Sequence, residues 1–548
     1  MQGTMQGTMQ GTMNGAMKGT MNGTMNGAMK IFILGFMLAV SNVLFAAEFD
    51  DVGSLSFKNS GNEAAQSHFH RGVGFLHSFG FKQAIGEFQK AQQADPDFAL
   101  AYWGESLCYN HPLIREWNRQ TPIDILQRLG ETPEQRQVKA KSAREQGFVT
   151  AVEALFNGEG DISQRRIGYK DAMQKLYAEF PEDDEVAAFY ALSLLSAARA
   201  SGDDMMRMNI LAGSIATRLF KKNSHHPGAA HYVIHSFDDP LHAPLALEAA
   251  QKFARIAPAV SHARHMPTHI FIQHGMWQDV STSNQSAYDA AKDLWEPGDA
   301  VGDMVHALDW GQYGDLQLGD NEKAKLWITR LESIAKQNKG QEGSLARVRS
   351  RYIIETEEWQ AMEITDQSAA ASLLAAGMSA IHLGDMNTAE QAQELLAGKV
   401  DAAEKRGKGA YREGPIPTKV MYKEIAALVS LAKGDEEKAL ALLEEGIELT
   451  GQLPPPNGTA NPLKPVHELY AEVLSQLGRF EEAIALFESS LARTPNRSRS
   501  LLGLARTYAK LGDEDAAAKL YRKLAEIRKG AQTNDLAEAE QYLSMVNH

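Results

Sequence analysis

Between His225 and His274 the chain places nine of its seventeen histidines. Two pairs, His231/His235 and His265/His269, have the spacing i, i+4. On a helix that spacing puts both imidazoles on one face, one turn apart. Neutral imidazole is a good ligand for zinc, copper, nickel or iron, and two rings on one turn can share an ion. A three-histidine or histidine–aspartate set with an open position would polarise a water or a carbonyl. The pairs also recur: His265 follows His231, and His269 follows His235, by the same 34 residues. Stacked units of that length would carry the four rings at equivalent places.

Thirty-four residues is the period of the tetratricopeptide repeat, whose pattern runs W-x2-L-G-x2-Y, later A-x3-F, later P. Near the N-terminus Gly72, Phe75, Ala84, Phe88, Ala91 and Pro96 fall at positions 8, 11, 20, 24, 27 and 32 of such a unit. Near the C-terminus Tyr470, Leu474, Ala483, Phe487 and Pro495 fall at 7, 11, 20, 24 and 32, and the pattern recurs through Leu504, Ala505, Tyr508, Ala517 and Tyr521. Small residues at 8 and 20 let two helices approach. Large ones at 7, 11 and 24 fill the space between units, and the proline at 32 stops the second helix. Gly275, Gly319, Gly384 and Gly434 repeat the turn signal through the middle of the chain. The fold class is therefore all-α, a tetratricopeptide-type α-solenoid, a right-handed superhelix of helix-turn-helix repeats from about residue 60 to 530. No convincing run of alternating strand is present.

In repeat coordinates His231 and His265 are position 5, and His235 and His269 are position 9. Position 5 and 9 residues of the first helix point toward the inner, concave surface. In the following unit His306, Asp309 and Tyr313 take positions 2, 5 and 9. The candidate metal ligands are thus His231, His235, His265, His269, His306 and Asp309, with zinc or copper as the divalent transition metal. Asp238, Asp239 and Asp309 are candidates to fix the ring tautomers. His262 and His274 flank the site, and by helical position they point elsewhere. Met266 is a soft ligand or a core residue. His225 is expected to help cap the helix that Pro227 begins, and His77, at position 13 of the first unit, has no assigned role. Glu468 and Glu472 should form a solvated acidic wall. No nucleophile elbow, phosphate loop or dinucleotide fingerprint is present.

The ends of the chain carry other signals. Residues 1–28 cycle as MQGT, MNGT and MKGT with methionine at every fourth position, a Gly-rich low-complexity leader that reads as a mis-annotated start. Residues 29–47 read as a secretory signal: Lys30, an apolar run from Ile31 to Leu44, then Ala46 and Ala47. An exported, periplasmic or secreted protein follows, with an N-terminal repeat half at 48–340 that holds the histidine-rich groove and a C-terminal set of repeats at 341–548. The single cysteine, Cys108, excludes an intrachain disulfide. A net charge of −14 argues against nucleic-acid binding, and no later segment is long and apolar enough to span a membrane.

The segments HHPGAAHYVIH, HARHMPTHIFIQHGMW and PNGTANPLKPVHELYAEVL also resemble exported bacterial tetratricopeptide-repeat proteins that carry HPGxxHYxIH and HMPxHI histidine motifs. The resemblance runs over most of residues 60 to 530. It implies an all-helical repeat fold and no particular activity. The expected function is an exported repeat protein that binds a protein, peptide or small-molecule ligand in its concave groove beside a histidine metal site. A metal-dependent hydrolytic or oxidative enzyme built on the same histidines, and a metal-free interaction scaffold of the cell envelope, are the alternatives.

Overall fold

The computed structural model describes residues 47–114, 116, 118–200, 204–406, 414–453 and 462–546. The leader and all but the last residue of the expected signal lie outside them. The described chain is a succession of α-helices joined by short turns, a tetratricopeptide-type α-solenoid. One departure from the expected all-helical pattern occurs at its start. Strands β1 (Ala47–Phe49) and β2 (Gly53–Leu55) form an antiparallel hairpin. Ser54 N–H donates to the His225 carbonyl at 3.0 Å, so the hairpin lies against the beginning of the histidine segment.

The repeat chemistry works as its spacing demands. A Cβ on Gly104 would stand 2.3 Å from the Phe88 ring, and one on Gly503 would stand 2.3 Å from the Phe487 ring. Both phenylalanines occupy position 24, and each glycine stands sixteen residues further on. A bulky ring from one unit thus fills a notch left in the next. Burying such a ring contributes roughly 1.5–3 kcal/mol, and it is this contact between units, rather than helix propensity, that stacks them.

Six helices position the histidines. Helix α1 (Glu63–His77) ends near the site, and α2 (Asp184–Ala198) packs beside it. Helix α3 (Pro227–Ser236) carries His231 and His235. It starts with Pro227, whose missing N–H has no helical partner to lose there. Its N-cap is His226, whose side chain accepts from Ala229 N–H, so His226 rather than His225 does the capping. The next first helix is broken into α4 (Ser261–His265) and α5 (Pro267–His274). Pro267 removes one backbone donor, yet Met266 keeps helical dihedrals of −53° and −35°, and His265 and His269 still share a face. Met266 is itself buried in the core. Helix α6 (Gly302–Leu318) brings His306.

The solenoid also departs from a simple stack. The repeats near residue 500 return to the middle of the chain. Asn496 Nδ2 donates to the His274 carbonyl at 3.1 Å, and Trp277 Nε1 donates to the Asn496 carbonyl at 2.8 Å. Ser498 bonds Gln317 through N–H at 2.9 Å and Oγ at 2.7 Å. Gly275, at φ 63°, serves this closure twice. It makes the left-handed turn after α5, and a Cβ there would stand 2.4 Å from the Asn496 Cβ.

Candidate metal centre

Among the described residues, three groups of side chains have ligand atoms within 4.8 Å of one another. The first is His231, His235 and His262, and the second is His265, His269 and His306. The third is His77, Glu185 and His226. They differ in where their protons must sit.

In the second trio two tautomers are fixed from outside. His265 Nδ1 lies 2.7 Å from Asn284 Oδ1, and the amide of Asn284 is oriented by its own donation to the Val280 carbonyl at 2.8 Å. His269 Nδ1 lies 2.6 Å from Asp238 Oδ2. An amide oxygen and a carboxylate only accept, so both Nδ1 atoms carry the proton. In the neutral rings both Nε2 atoms then present lone pairs, and these stand 3.3 Å apart. Two acceptors at that distance cannot bond to each other. Two nitrogens held ~2.0–2.1 Å from one tetrahedral ion would be about 3.3 Å apart. His306 completes the trio, its ring 4.3 Å from that of His265. Trp310, fully buried, lies against the His269 ring at 4.3 Å and edge-on to His265 at 5.0 Å, which restricts both rings.

The first trio has the same spacing, with one ring fixed from outside and His262 Nε2 placed to donate to His231. His231 Nδ1 lies 2.6 Å from the His77 carbonyl, which fixes its proton there and turns Nε2 to the His262 Nε2, 3.1 Å away. His235 Nε2 is buried with no hydrogen-bond partner. Phe79 packs on three of these rings, His231 at 4.4 Å, His262 at 5.2 Å and His235 at 6.0 Å. It does so from a left-handed backbone, φ 59°, a conformation that costs a bulky residue on the order of 1 kcal/mol and that marks functional sites. Burial pushes His231 down to about 3 and His235 and His262 well below the usual histidine range, with the neighbouring histidines adding to it. These rings are neutral and available as ligands at neutral pH.

The third group is buried throughout. Tyr232 OH donates to His77 Nδ1 at 2.8 Å, and His77 Nε2 donates to Glu185 Oε2 at 2.9 Å. His226 uses Nδ1 for its cap and sets Nε2 3.2 Å from Glu185 Oε1. Burial would raise the Glu185 carboxyl, but His226 and His77 beside it hold it below the ordinary range. Glu185 holds the His77 ring through Oε2, while Glu185 Oε1 and His226 Nε2 are buried with no hydrogen-bond partner.

Five of the six expected ligands are therefore brought together, in two sets rather than one. Asp309 is not among them. Its carboxylate faces Arg351 at 2.7 Å and Arg347 at 4.0 Å, because the next helix brings a guanidinium to that position. His262, expected to point away, joins the first trio. The signal that finds it is in the sequence. His262 is position 2 of its repeat and His306 is position 2 of the next, so each trio is positions 5 and 9 of one unit with position 2 of the following unit. Asp238 bonds His269 as expected, whereas Asp239 turns to His242 at 2.8 Å. His274 bonds the Ile270 carbonyl. His77 belongs to the third, buried group and not to a groove.

Residues 465–530 match the family model of the tetratricopeptide repeat. No curated protein matches the chain. Solved structures that resemble it include yeast Tom70, at 15% identity over 88% of this chain and 95% of that one, with a TM-score of 0.25. A monomeric IFIT1 mutant with Gppp-AAAA has 12% identity over 86% and 94%, TM-score 0.34. The Cut9–Hcn1 hetero-tetramer of APC/C has 12% identity over 89% and 91%, TM-score 0.29. At such scores the likeness carries no argument about ligand or partner.

Proposed function

We propose that this repeat protein binds two transition-metal ions, one in each histidine trio, and presents them to a ligand or partner in its groove. The observation that carries this reading is the pair of Nε2 atoms of His265 and His269, 3.3 Å apart, with the Nδ1 atoms held by Asn284 and Asp238. Nitrogen-only ligand sets suit zinc, copper or nickel, and three protein ligands leave a coordination position open. That open position supports the second reading, a metal-dependent hydrolase or oxidative enzyme. Tetratricopeptide repeats also serve as interaction scaffolds, and a protein or peptide docking surface is the reading that stands without metal. The segment at residues 29–47, with Lys30 before an apolar run, supports export to the periplasm or beyond.

Elemental analysis of the untagged, purified protein tests the proposal. Two ions per chain are expected, falling to one in His235→Ala and one in His306→Ala. None should remain in the variant with His231, His235, His265 and His269 all changed to alanine. A folded wild-type protein that holds no metal after incubation with zinc or copper sinks the reading and leaves the scaffold.

A further inference from the structure

Resting on that reading, we infer that the two trios act as one paired centre that holds an oxyanion across both ions. The argument starts from repetition. Each trio uses positions 5, 9 and the next unit's 2, so the second is the first carried forward by one repeat. The step between them is read from equivalent rings: His235 and His269, both position 9, have centroids 6.1 Å apart. His262 and His265, which face each other across the gap, are at 6.5 Å. Ions held in equivalent ways would be separated by a similar step. Two metals that share a single oxygen sit ~3.5–4 Å apart. The longer step is too wide for that and suits a ligand offering two oxygens, one to each ion.

Charge points to the same ligand. Six neutral imidazoles bring no negative charge to four positive ones. Asp238, bonded to His269, brings one. Asp309, the acidic residue at position 5 of the next unit, is drawn to Arg351 and Arg347 instead. The excess positive charge calls for an anion from solution. His231 and His265 are buried and the other four rings are less so, although the His235 Nε2 atom is itself buried. A tetrahedral oxyanion such as phosphate, free or as an ester, has the two-oxygen reach the step requires.

The experiment loads the full chain with copper(II) and records its paramagnetic resonance spectrum, then titrates inorganic phosphate by calorimetry. Two ions at this step should give a dipole-coupled spectrum with a half-field line. They should take one phosphate per pair. His235→Ala and His306→Ala should each hold one ion, give an uncoupled spectrum and bind phosphate about 100-fold more weakly, because one of two linked contacts is gone. His235→Gln and His306→Gln replace them if the alanine variants lose their helical circular dichroism. Two uncoupled ions overturn the pairing. Coupled ions that take no phosphate, or phosphate that binds one-ion variants equally well, overturn the ligand assignment. In each of these cases metal binding itself stands. A chain that binds no metal overturns both.

Discussion

Around Arg497 and around His265 the solenoid buries polar groups between neighbouring units, and it treats them in opposite ways. Arg497 is fully buried and donates to Glu468 through Nε at 2.8 Å and to Glu355, with the Tyr313 hydroxyl at 3.3 Å. Glu468 also receives Lys464 at 2.9 Å and Ser500 Oγ. Burial would lower the guanidinium and raise the Glu468 carboxyl, but each holds the other charged. Every acceptor there has a donor. In the trio, two acceptors face each other with the donors turned outward to Asp238 and Asn284. Both sites occupy the same kind of repeat position: Glu468 is position 5 of its unit, as His265 is of its own. Burial of polar groups therefore does not distinguish bracing from binding. What distinguishes them is the kind of group: charged donors and carboxylates around Arg497, imidazoles clustered on imidazoles around His265.

The contrast can be broken at either end. The largest effect is expected from Arg497→Met. It strips the cation from two buried carboxylates, and losing one partner of a buried pair costs about 3–5 kcal/mol. Chemical denaturation of the metal-free protein measures it. A loss under about 1 kcal/mol would show that the node does not brace the fold. Next comes Asp238→Asn. It should leave the metal-free stability nearly unchanged and weaken metal binding at the second trio by about 10–100-fold, the usual cost of losing a tautomer-fixing partner. Equal weakening at both trios, read from a competitive chelator titration, would contradict the assignment. The most gradual effect is with pH. His231 is held down to about 3 in the fold against 6.5 unfolded, so protonation favours the unfolded chain. Stability of the metal-free protein should be flat above about pH 6.5. Below that it should fall, by about 1.4 kcal/mol per pH unit for a single such group, until about pH 3. Bound metal should leave over the same range as protons compete for the rings. Stability that holds constant from pH 7 to 5 would mean that these rings are already charged or exposed.

Much of this was legible in the sequence for a simple reason. A 34-residue period fixes which residues lie above which, and the large residues Phe88 and Phe487 at position 24 follow from it, although the glycine notches at Gly104 and Gly503 do not. Pro227 at a helix start and the His231/His235 and His265/His269 faces were equally readable. Three things were not. Asp309 shares its repeat position with His231 and His265, but its fate depends on Arg351, 42 residues away on another helix. His262 was set aside by its angle on one helix, although its partner lies on the preceding unit. Glu468 looked like a solvated acid because Arg497 and Lys464 reach it from other segments. In each case local spacing set the position of a residue, and a distant charge or ring set its role.

The return of the residue-500 repeats to the corner at Gly275 has a consequence for the order in which the molecule is made. Asn496 meets the His274 carbonyl across 222 residues of chain. A growing chain has both histidine pairs and His306 long before it has the residues that close over the corner beside them. A message truncated before that point would leave Gly275 and the Trp277 indole uncovered, so an early stop late in the gene would be felt at the metal end. Were the chain exported as proposed, threaded from its N-terminus, the closing repeats would cross last. The trios would then meet their metal as a finished site in the compartment of arrival, not in the compartment of synthesis.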